Sequence, residues 1–168
     1  QDTGWETFND DERDLEFFDA MWDRIRSEYC VDEERVFASG HSIGGYMSNY
    51  LGCERGDIVR AIAPIAGGGL HDWYLSNHTC TGQVAVKIIH GTQDTQVDYA
   101  DGVRVMNYFL GANHCGSTTT PTSNPPCEQY DGCDAEYPVE MCAFDGVAHS
   151  DFDWQALGPT IWEYFDSF

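Results

Sequence analysis

Apolar residues Leu15, Phe18, Met21, Trp22, Ile25 and Tyr29 recur in steps of three and four across residues 14–29, the rhythm of a helix with one buried face. Beyond Cys30-Val31-Asp32 the rhythm changes. Residues 35–39 (Arg-Val-Phe-Ala-Ser) form a short apolar run halted at Gly40, residues 59–66 a second ending in Gly67-Gly68-Gly69, residues 84–90 a third ending at Gly91, and residues 139–144 a fourth. Unbroken runs of this length belong to strands covered on both faces, where alternation would mark a strand with one wet side. The segments between them predict helices: 43–51, whose Gly44, Gly45 and Ser48 allow close approach to a strand; 99–110; and a closing helix at 158–168 with Ile161, Trp162 and Phe165 turned inward. Strands alternating with helices predict a mostly parallel sheet with helices on both faces. The one loop-like low-complexity segment is 116–126, rich in Thr, Ser and Pro and set between two cysteines, which reads as a stapled surface loop.

At 168 residues the chain has the length of one domain, and its longest apolar stretch, 61–66, contains a proline and is far too short to cross a bilayer. Charge narrows the partners. With 29 acidic against 8 basic residues the formal net charge is −21, so nucleic acid and anionic membrane are both repelled, and nothing marks an obligate protein partner. Seven cysteines are many for a reducing compartment and their spacings fit no zinc pattern, so a secreted protein with disulfides is expected, with no metal and no cofactor. The rise of a strand to Ser42 and the return of the next helix should bring Cys53 back beside Cys30 as one bridge. Cys115–Cys127 would then close the Thr-Pro loop and Cys133–Cys142 would clasp the last strand, leaving Cys80 over.

Gly40-His41-Ser42-Ile43-Gly44 fits the pattern G-x-S-x-G, follows a predicted buried strand and opens a predicted helix, which is the context of a nucleophile elbow. A serine hydroxyl needs a base, and an imidazole base needs a carboxylate to fix its tautomer. Asp94, in His90-Gly91-Thr92-Gln93-Asp94, lies just beyond the third strand, with Asp98 as the fallback. His149, in Gly146-Val147-Ala148-His149-Ser150, lies just beyond the fourth. Both therefore reach the sheet edge that carries Ser42, in the chain order Ser, Asp, His. The Ile43 amide, at the positive end of its helix, is the expected oxyanion donor. His41, Trp73 and Trp154 are candidates to line the substrate pocket.

Several stretches together resemble the secreted α/β-hydrolase esterases that include feruloyl esterases, acetylxylan esterases and polyhydroxybutyrate depolymerases. They are Tyr29-Cys30-Val31-Asp32, the elbow from Arg35 to Gly45, Ala61-Ile62-Ala63-Pro64-Ile65-Ala66-Gly67-Gly68, His90-Gly91-Thr92-Gln93-Asp94, and the Gly132-Cys133 to Cys142 segment leading to His149. The resemblance implies an α/β-hydrolase fold, a triad of Ser42, Asp94 and His149, and an ester substrate attached to plant polysaccharide. Polyhydroxyalkanoate depolymerase, serine peptidase of the same fold and non-catalytic binding module are the alternatives. The loop Val147-Ala148-His149-Ser150-Asp151 departs from the group's usual Gly-Gly-His or Gly-Ala-His. The group also carries about four strands before the elbow, so residues 1–168 are expected to be a single catalytic domain that is incomplete at its N-terminal side.

Overall fold

The structure, a computed structural model, describes residues 4–5 and 12–168. Along the chain run α1 (Arg13–Glu28), β1 (Phe37–His41), α2 (Ile43–Glu54), β2 (Ala61–Ile65), α3 (Asp72–Asn77), β3 (Ala85–Gly91), α4 (Tyr99–Ala112), β4 (Thr119–Pro121), β5 (Cys127–Tyr130), β6 (Val139–Phe144) and α5 (Trp154–Asp166). The sheet order is β1-β2-β3-β6-β5-β4, with the first four strands parallel and the last two antiparallel.

One face of this sheet offers Ile62, Val84, Val86, Ile88 and Met141 to α1, α2 and α4. The other offers Ala61, Ala63, Ala85, Ile65 and Ile89 to α5 through Leu157, Tyr164 and Phe165. Small alanines on the second face let the aromatic rings of α5 lie close to the strands. Between the two α5 clusters sits a charged pair: Lys87 of β3 faces Glu140 of β6 in register, Nζ 2.5 Å from Oε2, with the ammonium 5.2 Å from the centre of the Tyr164 ring. Lys87 is 1% exposed and Glu140 7%.

Three expectations change. Strand β1 runs to His41 rather than ending at Ser39, because Gly40 serves a close backbone approach and does not break the strand. Helix α5 begins at Trp154, four residues early, since the Asp153 carboxylate caps it by accepting from the Gln155 and Ala156 amides. The Thr-Pro segment is not all loop: β4 and β5 form a hairpin that adds antiparallel strands beyond β6. Helix α3 was also unforeseen, being only six residues long.

That hairpin reorganises the disulfides, none of which matches the expected pairing. Cys127 is the direct cross-strand neighbour of Cys142 and bonds to it, while Cys115, just after α4, joins Cys133 where the chain leaves β5. Cys53 pairs with Cys80 rather than Cys30. The chain entering β3 passes the end of α2, and the Thr81 amide donates to the Cys53 carbonyl at 2.6 Å. Cys30, not Cys80, is the free and exposed cysteine.

Among the described residues β1 is the outer strand of the sheet, paired on one side by β2. An apolar groove of about 870 Å³ lies beside it, lined by Met21, Ile25, Phe37, Ile161 and Trp162.

Candidate active site

The parallel strands end together, and their following loops meet at one edge. Ser42 occupies the turn from β1 into α2 with φ 58° and ψ −119°. A non-glycine residue held there costs on the order of 1–3 kcal/mol, so the surroundings must impose it. They do so from both sides: the Ser42 amide donates to the Ile65 carbonyl at the end of β2, and the Tyr46 amide donates back to the Ser42 carbonyl.

Two glycines make the turn possible. A Cβ at Gly40 would lie 2.6 Å from the Gly44 carbonyl carbon, and one at Gly45 would lie 2.8 Å from the Ile65 oxygen and 2.9 Å from the Gly67 Cα. Gly44 meets nothing within 4 Å. Gly44→Ala should therefore be tolerated, with a gain of up to about 1 kcal/mol from better helix propensity, whereas Gly45→Ala should force α2 away from β2 and destabilise the protein. Urea unfolding of the two variants checks this, and equal behaviour would refute it.

Beyond β3, a tight turn fixes Asp94, which is 4% exposed. Its Oδ1 accepts from the amides of Gln96 at 2.9 Å and Val97 at 3.0 Å, leaving Oδ2 for His149 Nδ1 at 2.7 Å. Burial pushes the Asp94 carboxyl up, but the hydrogen bonds from His149, Val97 and Gln96 outweigh it and hold the group below the ordinary carboxylate value. His149, in the loop after β6 and 6% exposed, places Nε2 2.8 Å from Ser42 Oγ. With Nδ1–H donating to Asp94, Nε2 is the lone-pair nitrogen that accepts from the serine hydroxyl. The two loops are laced together, the Thr92 amide donating to Phe144 O and the Gln93 amide to Val147 O.

Ser42, His149 and Asp94 thus stand in one hydrogen-bonded line. Asp98, the fallback acid, is exposed at the start of α4, and Asp145, in the turn before His149, accepts from the Thr92 hydroxyl. Ile43 opens α2, so its N–H belongs to the first turn, where helix amides have no partner within the helix. His90 has more to do than end a strand. Fully buried, it donates from Nε2 to Val97 O at 2.9 Å and braces the turn that holds Asp94; a Cβ at Gly102 would lie 2.4 Å from its Nδ1. The His-Gly-x-x-Asp spacing was the signal for that role.

Around His149 gather three more rings. His41 lies 4.7 Å from it, Trp154 meets His41 edge-on at 5.1 Å, and Phe152 packs behind both. Trp154 is 46% exposed, while Trp73, 52% exposed on α3, is not part of this cluster. The remaining histidines have local partners: His71 meets Arg104, His78 meets Glu54 and His114 meets Asp134. Cys127, Cys142 and Glu140 lie close enough to suggest a metal site, but both sulfurs are spent in the disulfide and offer no thiolate.

Residues 6–84 match the model of the prolyl oligopeptidase family. Feruloyl esterase B of Piromyces equi is 31% identical over 94% of this chain and 32% of its own length. A probable feruloyl esterase C of Aspergillus niger is 32% identical over 85% of this chain and 52% of its own. The chain thus spans between a third and about half of the length of these relatives. Among solved structures, the acetyl xylan esterase from Aspergillus awamori superposes with a TM-score of 0.67 at 16% identity, covering 90% of this chain and 66% of that one. Strand order, loop positions and sequence likeness converge: the chain has the α/β-hydrolase fold, and its sequence is similar to the esterase group that includes the feruloyl esterases.

Proposed function

We propose that the protein is a serine carboxylic ester hydrolase acting by acyl transfer, with Ser42 as nucleophile, His149 as general base and Asp94 as the carboxylate that orients it. The observation carrying this reading is the line Ser42 Oγ–His149 Nε2 at 2.8 Å and His149 Nδ1–Asp94 Oδ2 at 2.7 Å, built at the strained turn of an elbow. His149 takes the Ser42 proton as Oγ attacks the ester carbonyl, and Asp94 stabilises the imidazolium. The Ile43 amide donates to the oxyanion that develops. His149 then protonates the leaving alcohol and next activates the water that releases the acid.

Feruloyl or acetyl esters on plant polysaccharide are the preferred substrates, supported by the names of the relatives. Trp154 supplies an aromatic rim beside the elbow for an acyl ring or a sugar, with His41 behind it. Export to an oxidising compartment is supported by the three disulfides. The outer edge of β1 and the groove beside it suit further strands of the same sheet in a longer protein, which would supply the second oxyanion donor.

A fluorophosphonate probe followed by peptide mapping, with methyl ferulate, acetylated xylan and polyester film as substrates, tests the proposal. Labelling at Ser42 with hydrolysis of methyl ferulate or acetylated xylan is the expected result. No labelling would leave a binding module; labelling with turnover of polyester alone would move the assignment to a depolymerase.

A further inference from the structure

We infer that His41 is a positioning residue for the base, holding the His149 backbone where the imidazole can meet Ser42. The inference rests on the reading of His149 as that base. Its basis is a contact with no counterpart in the motif: His41 Nε2 lies 2.6 Å from the His149 carbonyl oxygen. A carbonyl only accepts, so His41 Nε2 carries a proton and donates it.

The loop needs this contact on one side only. Ahead of His149 the backbone is anchored twice, the Val147 amide donating to Phe144 O and the Val147 carbonyl accepting from the Gln93 amide. After it the backbone has the turn bond from the Asp151 amide to Ala148 O, at 3.2 Å, and the His149 carbonyl itself is taken by His41. The donor sits on the residue preceding the nucleophile, at the rigid end of β1, so one element sets both the hydroxyl and the backbone that carries its base. The edge of Trp154, 5.1 Å away, limits rotation of the His41 ring.

Without this anchor His149 can withdraw from Ser42 while the fold survives, and displacement of a base by about 1 Å is worth up to about a hundredfold in rate. Glutamine can present an amide N–H near the position of the imidazole Nε2; alanine cannot.

The experiment compares the wild-type protein with His41→Ala and His41→Gln by the rate of fluorophosphonate labelling at Ser42, with thermal unfolding measured alongside. Labelling needs the serine activated by its base and needs no knowledge of the natural ester. His41→Ala should label about ten- to a hundredfold more slowly, with Tm within a few degrees of wild type. His41→Gln should recover most of the rate. Where an ester is turned over, the loss should fall on kcat far more than on KM. Wild-type labelling with an unaltered rate in His41→Ala overturns the positioning role, as does equal loss in both variants or a loss that merely follows Tm. An unreactive wild-type protein would instead sink the catalytic reading itself.

Discussion

Ser42→Ala should abolish ester hydrolysis and fluorophosphonate labelling while leaving the unfolding transition in place, and Asp94→Asn should cost about four orders of magnitude in kcat. The serine variant removes the attacking atom and relieves little of the turn's geometry, since the Ile65 and Tyr46 backbone bonds persist. The aspartate variant keeps shape but turns an acceptor into a group that can present N–H to His149 Nδ1, favouring the wrong tautomer. Asp98→Asn is the control: that side chain is exposed at the head of α4 and its loss should be mild. A severe Asp98→Asn with a mild Asp94→Asn would overturn the assignment.

The same aspartate makes a pH prediction with a definite sign. Its carboxyl is held below the ordinary value of 3.8, so it contributes stability that is fully present above that value and lost as pH falls through the lower folded value. Acid unfolding of Asp94→Asn should lack that part of the decline.

Lys87→Met should destabilise the protein by about 3–5 kcal/mol, because it leaves Glu140 buried and unpaired in the middle of the sheet. For a domain of this size that corresponds to a fall in Tm on the order of 10 °C. Adding Glu140→Leu should restore most of the loss, since an apolar pair of similar volume removes the desolvation penalty of both charges. Urea melts of the single and double variants read this directly; a double variant as unstable as the single would show that the pair shapes the α5 face in some other way. Triad geometry lies at the far ends of these strands, so activity below the melting temperature should be retained.

What could be read from the residues divides along physical lines. The four parallel strands announced themselves because strands buried on both faces are continuous apolar runs, and residues 139–144 matched β6 without adjustment. The candidate site was legible for a related reason: a strained elbow needs glycines at defined offsets, and the partners of Ser42 must lie just past later strand ends. Strand β5 was silent. Cys-Glu-Gln-Tyr buries only Cys127 and is held by its neighbours β4 and β6, so nothing local marks it. Missing that hairpin led to two of the wrong cysteine pairs, since Cys127 and Cys142 meet only through its register; the third, Cys53 with Cys80, depends on where the chain entering β3 passes the end of α2. The role of His41 was hidden too, because the contact depends on where a loop 108 residues away comes to rest.

The corrected cross-links divide the chain into bound and unbound lengths. One covalent loop closes residues 53–80, and two interleaved loops close 115–142. Each limits the freedom of the unfolded chain, by roughly 3 kcal/mol for a loop of about fifteen residues. Ser42 precedes the first loop, Asp94 falls in the open stretch between them, and His149 follows the last. Oxidation therefore toughens the frame while leaving all three reacting segments tethered only by packing and hydrogen bonds. On gradual warming or in mild denaturant the site should come apart while the stapled frame still stands, and catalysis should fade ahead of the bulk unfolding signal.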